Sequence, residues 1–171
     1  KGDIFFAIKG KKNDGNKFVG EAFNKKASIA IVNKINKNNN IKHQIKVRDS
    51  LKFLTQSSKI YRQNINTRII AITGSCGKTT LKELLGSSLK KISKVSTSPK
   101  SYNNKYGVPL SLFNIDQKDQ YGVLEIGMDK KGEIDFLSKI IQPDVSVITN
   151  INYAHAKNFK NIKQIALAKS E

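Results

Sequence analysis

Residues 69–80 read Ile-Ile-Ala-Ile-Thr-Gly-Ser-Cys-Gly-Lys-Thr-Thr, an apolar run that passes directly into a glycine-rich turn. The apolar part predicts a buried strand over Ile69–Thr73, and the leucines beyond the turn predict a helix. Glycines allow a tight turn whose N–H groups, together with the N-terminus of that helix, face an anion. The order of strand, turn and helix therefore predicts a nucleotide phosphate site in a parallel α/β domain.

The predicted phosphate loop comprises Thr73, Gly74, Ser75, Cys76, Gly77, Lys78, Thr79 and Thr80. Lys78 would add a point charge to the phosphates, and Thr79 would offer a hydroxyl oxygen to magnesium. The strict pattern GxxxxGK[ST] needs glycine where this chain has Ile72, so the match is to a shorter TGxxGKT form. We interpret Cys76 as a small filler and not as a nucleophile. This loop predicts a nucleoside triphosphate and Mg²⁺ as its ligands.

Apolar strands alternate with helical stretches from Arg68 onward, which is typical of a parallel sheet with crossover helices. Further strands are predicted at Val123–Ile126 and Val145–Thr149. The helix after the phosphate loop has an apolar stripe that we expect to pack on the sheet, at Leu81, Leu84, Leu85, Leu89 and Ile92. A later helix has the same pattern at Ile134, Leu137, Ile140 and Ile141.

The first part of the chain predicts a smaller α/β unit. Short strands are expected at residues 4–8 and 29–32, with a helix between them whose apolar face includes Phe18, Ala22 and Phe23. The pattern breaks around Ile65, where we place a domain boundary. The prediction is a small α/β unit over 1–64 and the beginning of a mostly parallel, helix-flanked nucleotide-binding domain over 65–171.

Composition limits the class of protein. The net charge of +18 would favour nucleic acid if the cations were clustered, but 28 lysines and 3 arginines are scattered along the chain. A solvated basic surface is therefore our interpretation, with nucleic-acid binding as the lesser alternative. No apolar run approaches the ~20 residues of a membrane helix, and a single cysteine fits a reducing cytoplasm. Because the chain lacks an initiator Met and stops in a helical pattern, we expect an internal fragment.

Three polar residues follow or interrupt the predicted apolar elements. Glu125 lies in an apolar strand, so it needs a magnesium ion or, alternatively, a lysine to neutralise it. His155 lies beyond the strand Val145–Thr149, where ligands bind in open parallel sheets, although surface or capping roles are commoner for a lone histidine. Lys169 continues the apolar stripe of Ile162 and Ile165, so it points inward; its stem could simply pack while the ammonium reaches water.

Together these residues resemble the Mur ligase superfamily of ATP-dependent amide ligases, in which a TGxxGKT loop is followed by a strand glutamate, a histidine and a lysine. Further stretches carry the resemblance over nearly the whole chain: Gly2–Gly10 with Asp14, Gly15 and Phe18; Asn103–Pro109; Glu125–Met128; and Ala166–Glu171. The family often has Gly-Asn ahead of the asparagine pair, where this chain has Lys100 and Ser101, and glycine where it has Ser170.

The resemblance implies roles for individual residues. Lys78 would hold the β and γ phosphates, Thr79 and Glu125 would bind one magnesium ion, and His155 would help to place a second. Lys169 would be the carbamylated lysine of the family, which carries a negative charge beside the metal. Asn103 and Asn104 would match an asparagine-rich loop that approaches substrate and phosphates.

The resemblance also implies that residues 1–64 are part of a small, incomplete UDP-substrate domain and that residues 65–171 are the first part of the central ATP-binding domain. Because the dipeptide-binding domain of the family is expected beyond Glu171, we expect this fragment to be inactive alone.

An activity and its substrates are implied as well. The quoted stretches favour the branch that joins D-alanyl-D-alanine to UDP-N-acetylmuramoyl-tripeptide in peptidoglycan precursor synthesis, through an acyl phosphate. We expect small-molecule substrates, a monomer in the cytoplasm, no nucleic acid and no integral membrane segment. A ligase that adds the third amino acid, a folylpolyglutamate synthase, and a P-loop NTPase that drives a partner protein remain alternatives.

Overall fold

A computed structural model describes residues 2–10, 12–153 and 158–171, which form seven strands and six α-helices in that part of the chain. The chain separates into two compact units, Lys1–Ser57 and Ser58–Glu171. This division lies within helix α2 (Ser50–Gln63), whereas the sequence-based boundary lies just after that helix. The last turn of α2 belongs with the second unit because the hydroxyl of Tyr61 donates to the carbonyl of Ile115 at 2.6 Å.

The first unit is a small parallel sheet with the strand order β1-β2-β3. The predicted strand at residues 29–32 is confirmed, and the predicted strand at 4–8 is shorter than expected. A buried cluster that includes Ala7, Val19 and Val32 forms its core. The elements are β1 (Ile4–Phe6), α1 (Val19–Asn24), β2 (Ile29–Val32) and β3 (Gln44–Lys46).

The second unit is a four-stranded parallel sheet with the order β5-β6-β4-β7, which confirms the predicted α/β class. Because all four strands are parallel, their carboxyl ends lie at one edge, and ligands bind outside that edge in such folds. The strands are β4 (Arg68–Thr73), β5 (Val95–Thr97), β6 (Tyr121–Glu125) and β7 (Val145–Ile148). The helices are α3 (Lys78–Leu89), α4 (Gly107–Phe113), α5 (Glu133–Ile141) and α6 (Ile162–Lys169).

The predicted packing of α5 is confirmed, since all four residues of its stripe are buried. The predicted packing of α3 is wrong in part, because Leu84 and Ile92 are 60% and 79% exposed. The buried residues of α3 are instead Lys82 and Gly86. A Cβ atom at Gly86 would collide with the side chain of Thr97, so glycine allows α3 to approach β5 closely. Within the described residues, none of the helices is long and apolar enough to span a membrane.

Candidate active site

The phosphate loop turns between β4 and α3 at two glycines. Gly74 and Gly77 have φ angles of 147° and 78°, which side chains rarely adopt. A Cβ atom at Gly74 would also collide with the hydroxyl of Thr149. Gly77 is the N-cap of α3, so the unpaired N–H groups of the first helical turn face the loop. The backbone therefore has the tight glycine turn that the sequence predicts, and anion binding by this turn stays a prediction.

Lys78 is the first residue of α3, and its ammonium lies across the loop. The Nζ atom donates to the carbonyl of Gly74 at 2.8 Å. This contact keeps the charge directly over the turn, where it adds to the positive end of the helix dipole. The arrangement suits the phosphate-binding role predicted for Lys78.

The segment after β7 holds the other side of the loop. Asn150 accepts from the N–H groups of Ser75, through its carbonyl, and of Cys76, through Oδ1, both at 3.0 Å. The hydroxyl of Thr149 donates to the carbonyl of Cys76 at 2.6 Å. Two N–H groups of the turn are thus occupied by protein, which leaves the first turn of α3 to meet a phosphate. Asn150 was not among the residues predicted from the sequence, although its position directly after Thr149 at a strand end was a usable signal.

Glu125 ends β6 and is 1% exposed. Its Oε2 atom accepts from the hydroxyl of Thr79 and its Oε1 atom from the amide of Asn103, both at 2.7 Å. Its backbone N–H donates to the hydroxyl of Ser98 at 3.1 Å. Among the described residues no lysine forms an ion pair with Glu125, so neutral donors surround this buried carboxylate. A cation beside Thr79 would supply the charge that these donors lack.

The two predicted asparagines have different environments. Asn103 contacts Glu125, and its carbonyl accepts from the N–H of Gly127 at 2.7 Å, which places it at the end of β6. Asn104 instead caps α4: its Oδ1 atom accepts from the N–H groups of Tyr106 and Gly107, both at 3.0 Å. Asn104 also lines a cleft of about 470 Å³ beside Gly127. Substrate binding by either residue stays a prediction.

Lys169 is buried at the end of α6, 4% exposed. It lines a cleft of about 370 Å³ that also includes Thr73 and Ser146. Burial and, to a lesser extent, the nearby charge of Lys78 together lower the pKa of Lys169 from its ordinary 10.5 to about 8. The hydroxyl of Thr73 is buried in the same cleft and has no hydrogen-bond partner among the described residues. The cleft therefore contains an amine that loses its proton more easily than an ordinary lysine, and a hydroxyl group without a hydrogen-bond partner in the described part of the chain.

Glu171 fixes the chain just beyond Lys169. Its carboxylate accepts from the N–H of Gly132 at 2.8 and 3.0 Å, at the N-terminus of α5. A carboxylate is favourable there because the helix dipole is positive at that end. Sequence analysis assigned Glu171 only to a motif, and the structure shows that this residue ties α6 to α5.

His155, predicted to help place a metal ion, lies outside the described residues. Within the described part of the chain, no cluster of three or more histidine, cysteine, aspartate or glutamate residues could hold a metal ion. A cation at Glu125 would thus rely on hydroxyl and amide groups, on phosphate oxygens and on water. Magnesium accepts such hard oxygen ligands and commonly retains water.

The fold and this site define a phosphate-loop protein of the parallel α/β class. A model of the Mur ligase middle domain matches residues 72–171, which is more than half of the chain. The chain therefore belongs to the Mur ligase family.

Curated relatives extend the similarity over nearly the whole chain. UDP-N-acetylmuramoyl-tripeptide–D-alanyl-D-alanine ligase of Buchnera aphidicola subsp. Acyrthosiphon pisum is 38% identical over 99% of this chain, and that of Bacillus subtilis is 37% identical over 98%. In each case the matched region is 37% of the relative's length. This chain thus spans little more than a third of the relatives that it matches.

Solved structures agree with the sequence relatives. The chain superposes on MurF from Acinetobacter baumannii with a TM-score of 0.87 and 39% identity, covering 99% of this chain and 37% of that one. MurF ligase from Thermotoga maritima in complex with ADP gives a TM-score of 0.82 and 34% identity, covering 99% and 39%. The similarity therefore includes both units of this chain.

Proposed function

We propose that this chain supplies the nucleotide site of an ATP-dependent, ADP-forming amide ligase. The ligase joins D-alanyl-D-alanine to UDP-N-acetylmuramoyl-tripeptide, as the names of its relatives state for those proteins. The observation that carries the proposal is the contact between Thr79, in the phosphate loop, and the buried carboxylate of Glu125. This contact joins the loop that would bind phosphate to the strand carboxylate that would attract a cation.

The phosphates of ATP would lie over the first turn of α3. Lys78, now on the carbonyl of Gly74 at 2.8 Å, would move to the β and γ phosphates, where it gains a stronger, charge-assisted partner. Thr73 to Thr80 would surround the nucleotide, with Gly74 and Gly77 allowing close approach of the backbone. The loop thus binds and orients the group to be transferred.

Magnesium fits the residues that are present. Thr79 and Glu125 provide adjacent hard oxygens, and the carboxylate needs a cation because its described partners are neutral. Magnesium would supply charge neutralisation of the phosphoryl group as it transfers. His155 and a carbamate on Lys169 would complete the ligands of a second ion, as the family resemblance implies.

Two features of the surroundings of Lys169 support its proposed carbamylation. Carbon dioxide adds to a neutral amine, and the lowered pKa of about 8 leaves an appreciable neutral fraction near pH 7. Addition forms an N–C bond and releases a proton, so the residue changes from a cation to an anion. The buried hydroxyl of Thr73 lines the same cleft, and we suggest the carbamate as the acceptor that this hydroxyl lacks.

The reaction would proceed in two displacements. A carboxylate oxygen of the tripeptide attacks the γ phosphorus of ATP, which releases ADP and gives an acyl phosphate. The free amine of D-alanyl-D-alanine then attacks the acyl carbon, phosphate leaves and the amine loses a proton. Asn103 and Asn104 would orient the reacting groups, and no protein nucleophile is needed.

The proposal extends to the two domains of the chain, its oligomeric state and its compartment. Residues 1–64 would be part of a UDP-substrate domain, and residues 65–171 the first part of the central ATP-binding domain. We propose that the protein works as a cytoplasmic monomer on small-molecule substrates and does not bind nucleic acid. Cys76, a free thiol, fits a reducing compartment.

Product analysis of the full-length protein tests the activity. We expect UDP-muramoyl pentapeptide, ADP and phosphate in equal amounts when ATP, Mg²⁺, tripeptide and D-alanyl-D-alanine are all present. Omission of the dipeptide should remove the amide product. Steady ADP release without any amide product would contradict the ligase and favour an NTPase.

A further inference from the structure

Lys82 is a fully buried lysine that sequence analysis did not select. It lies one helical turn after Lys78 on α3. Its Nζ atom donates to the carbonyl of Ser98 at 2.8 Å and to the carbonyl of Lys100 at 2.6 Å. A buried ammonium is costly unless it is paired or hydrogen-bonded, so these carbonyl contacts explain how the fold tolerates it.

The carbonyls belong to the loop that leads from β5 to Asn103. Lys100 has a φ angle of 45°, in the left-handed region that favours glycine, so the loop has a conformation that costs free energy. Ser98 is 1% exposed, and its hydroxyl accepts from the backbone N–H of Glu125. Lys82 therefore fixes both a strained turn and a residue that touches the strand of Glu125.

The same loop orients the carboxylate of Glu125. Asn103 follows Lys100 by three residues and donates to Oε1 of Glu125 at 2.7 Å, opposite the hydroxyl of Thr79 on Oε2. If the loop moved, Asn103 would lose this contact and the carboxylate could rotate. We propose that Lys82 is a positioning residue of the magnesium–nucleotide site, acting through the loop of residues 98–103 on Glu125.

The ion pair of Lys82 does not explain its burial. Its Nζ atom lies 3.1 Å from Oε1 of Glu83, whose side chain is 62% exposed. An exposed partner is screened by water and stabilises little. The two carbonyl contacts, in contrast, both lie in one loop, and their residues are 16 and 18 positions after Lys82 in the sequence. The effect of Lys82 on nucleotide binding rests on the proposed function, whereas the hydrogen bonds of Lys82 to the loop do not depend on it.

ADP binding to the full-length protein tests the inference by calorimetry. The quantity compared is the dissociation constant of ADP without Mg²⁺ divided by that with Mg²⁺. A disordered Glu125 should weaken only the part of ADP binding that depends on Mg²⁺, so this ratio should fall. Lys82→Met and Asn103→Ala should each lower this ratio, by roughly tenfold for one hydrogen bond to a charged group. The double variant should be no worse than Asn103→Ala alone, since coupled residues are not additive. Glu83→Gln, which removes only the exposed ion pair, is the matched control and should retain the wild-type ratio.

A second readout does not depend on nucleotide. Hydrogen exchange of the Asn103 side-chain amide, followed by NMR, should be roughly tenfold faster in Lys82→Met than in wild type, since its bond to Glu125 opens more often. If Lys82→Met fails to fold, both measurements use Lys82→Gln, which removes the charge but keeps a neutral donor, and a smaller change in the same direction is expected.

The outcomes separate the two proposals. An unchanged magnesium ratio with unchanged exchange at Asn103 would overturn the role of Lys82, as would additive losses in the double variant. Wild-type protein that binds no ADP would instead overturn the nucleotide site. The exchange measurement alone would then decide whether Lys82 positions Asn103.

Discussion

The hydroxyl of Thr79 donates to Oε2 of Glu125 at 2.7 Å, which joins the first turn of α3 to the end of β6. The two residues are 46 positions apart in sequence, and the parallel order of β4 and β6 brings them together. Because the carboxylate is 1% exposed, the bond forms away from water, where electrostatic interactions are strong. A cation that enters here would meet a hydroxyl and a carboxylate already in place.

Lys78→Ala should abolish ligation while the fold stays intact. The Lys78 ammonium lies on the phosphate loop and not in the core, so its loss removes charge from the phosphates without opening a cavity. We expect a fall in kcat/KM of roughly 100-fold or more, the scale for losing a group that stabilises transition-state charge. Lys90→Ala, at the exposed end of the same helix, is the control. Near-normal ligation by Lys78→Ala would remove the assignment of the loop to ATP.

Lys169→Ala distinguishes a carbamate from a packed lysine stem. If the residue acts as an anion, the variant should lose nearly all ligation and regain part of it when acetate is added. A stem that only packs predicts instead a loss of about 1–2 kcal/mol in stability and no response to carboxylate. Initial rates at saturating ATP and Mg²⁺ provide the comparison. Full activity without acetate would exclude the carbamate.

The pKa of Lys169 also predicts how stability depends on pH. Its folded-state pKa of about 8 is below the ordinary 10.5, so the unfolded state binds more protons between these values. The contribution of Lys169 to the unfolding free energy should therefore rise with pH between about 8 and 10.5, and it should stay at its lowest value below about 8. Lys169→Met should be stabilising near neutral pH and lose that advantage by pH 10.5, in urea unfolding without carbon dioxide or nucleotide. An advantage independent of pH would contradict the lowered pKa; Lys163→Met is the exposed control.

Lys100→Gly should stabilise the protein. The φ angle of 45° at this position is strained for a side chain and unstrained for glycine. The free energy gained by relieving this strain should exceed the entropic cost of a more flexible unfolded chain. The net gain in stability should be about 0.5–1 kcal/mol. Lys90→Gly, at an exposed position with right-handed helical angles, should be destabilising by a similar amount. Thermal unfolding compares the two variants; a loss of stability in Lys100→Gly would show that the turn needs a side chain.

The strand, the glycine turn and the helix of the predicted phosphate loop could be predicted from the sequence because the information is local. A strand, two glycines and a helix follow one another, so the geometry depends on adjacent residues. The inward direction of Lys169 was predictable for the same reason, from the period of α6. Short strands such as β3 and β5 were missed because three mostly polar residues carry no usable alternation.

Lys82 shows why the rest could not be predicted. Leucine spacing suggested that Leu84 faces the sheet, but α3 turns Lys82 and Gly86 inward. That orientation depends on the close approach of Gly86 to Thr97 and on carbonyl groups in a loop distant in sequence. One of these carbonyls belongs to Lys100, whose backbone is left-handed. Helical periodicity gives no information about such partners, so a buried lysine looks like a surface residue in the sequence.

Transfer of a heavy-oxygen label tests most directly whether this site activates a carboxylate. Tripeptide substrate would be labelled in its terminal carboxylate and incubated with the full-length protein, ATP, Mg²⁺ and D-alanyl-D-alanine. Since the attacking carboxylate oxygen becomes part of the leaving phosphate, we expect one labelled oxygen in each inorganic phosphate, found by mass spectrometry. Unlabelled phosphate, with both labelled oxygens still on unreacted tripeptide, would contradict the account.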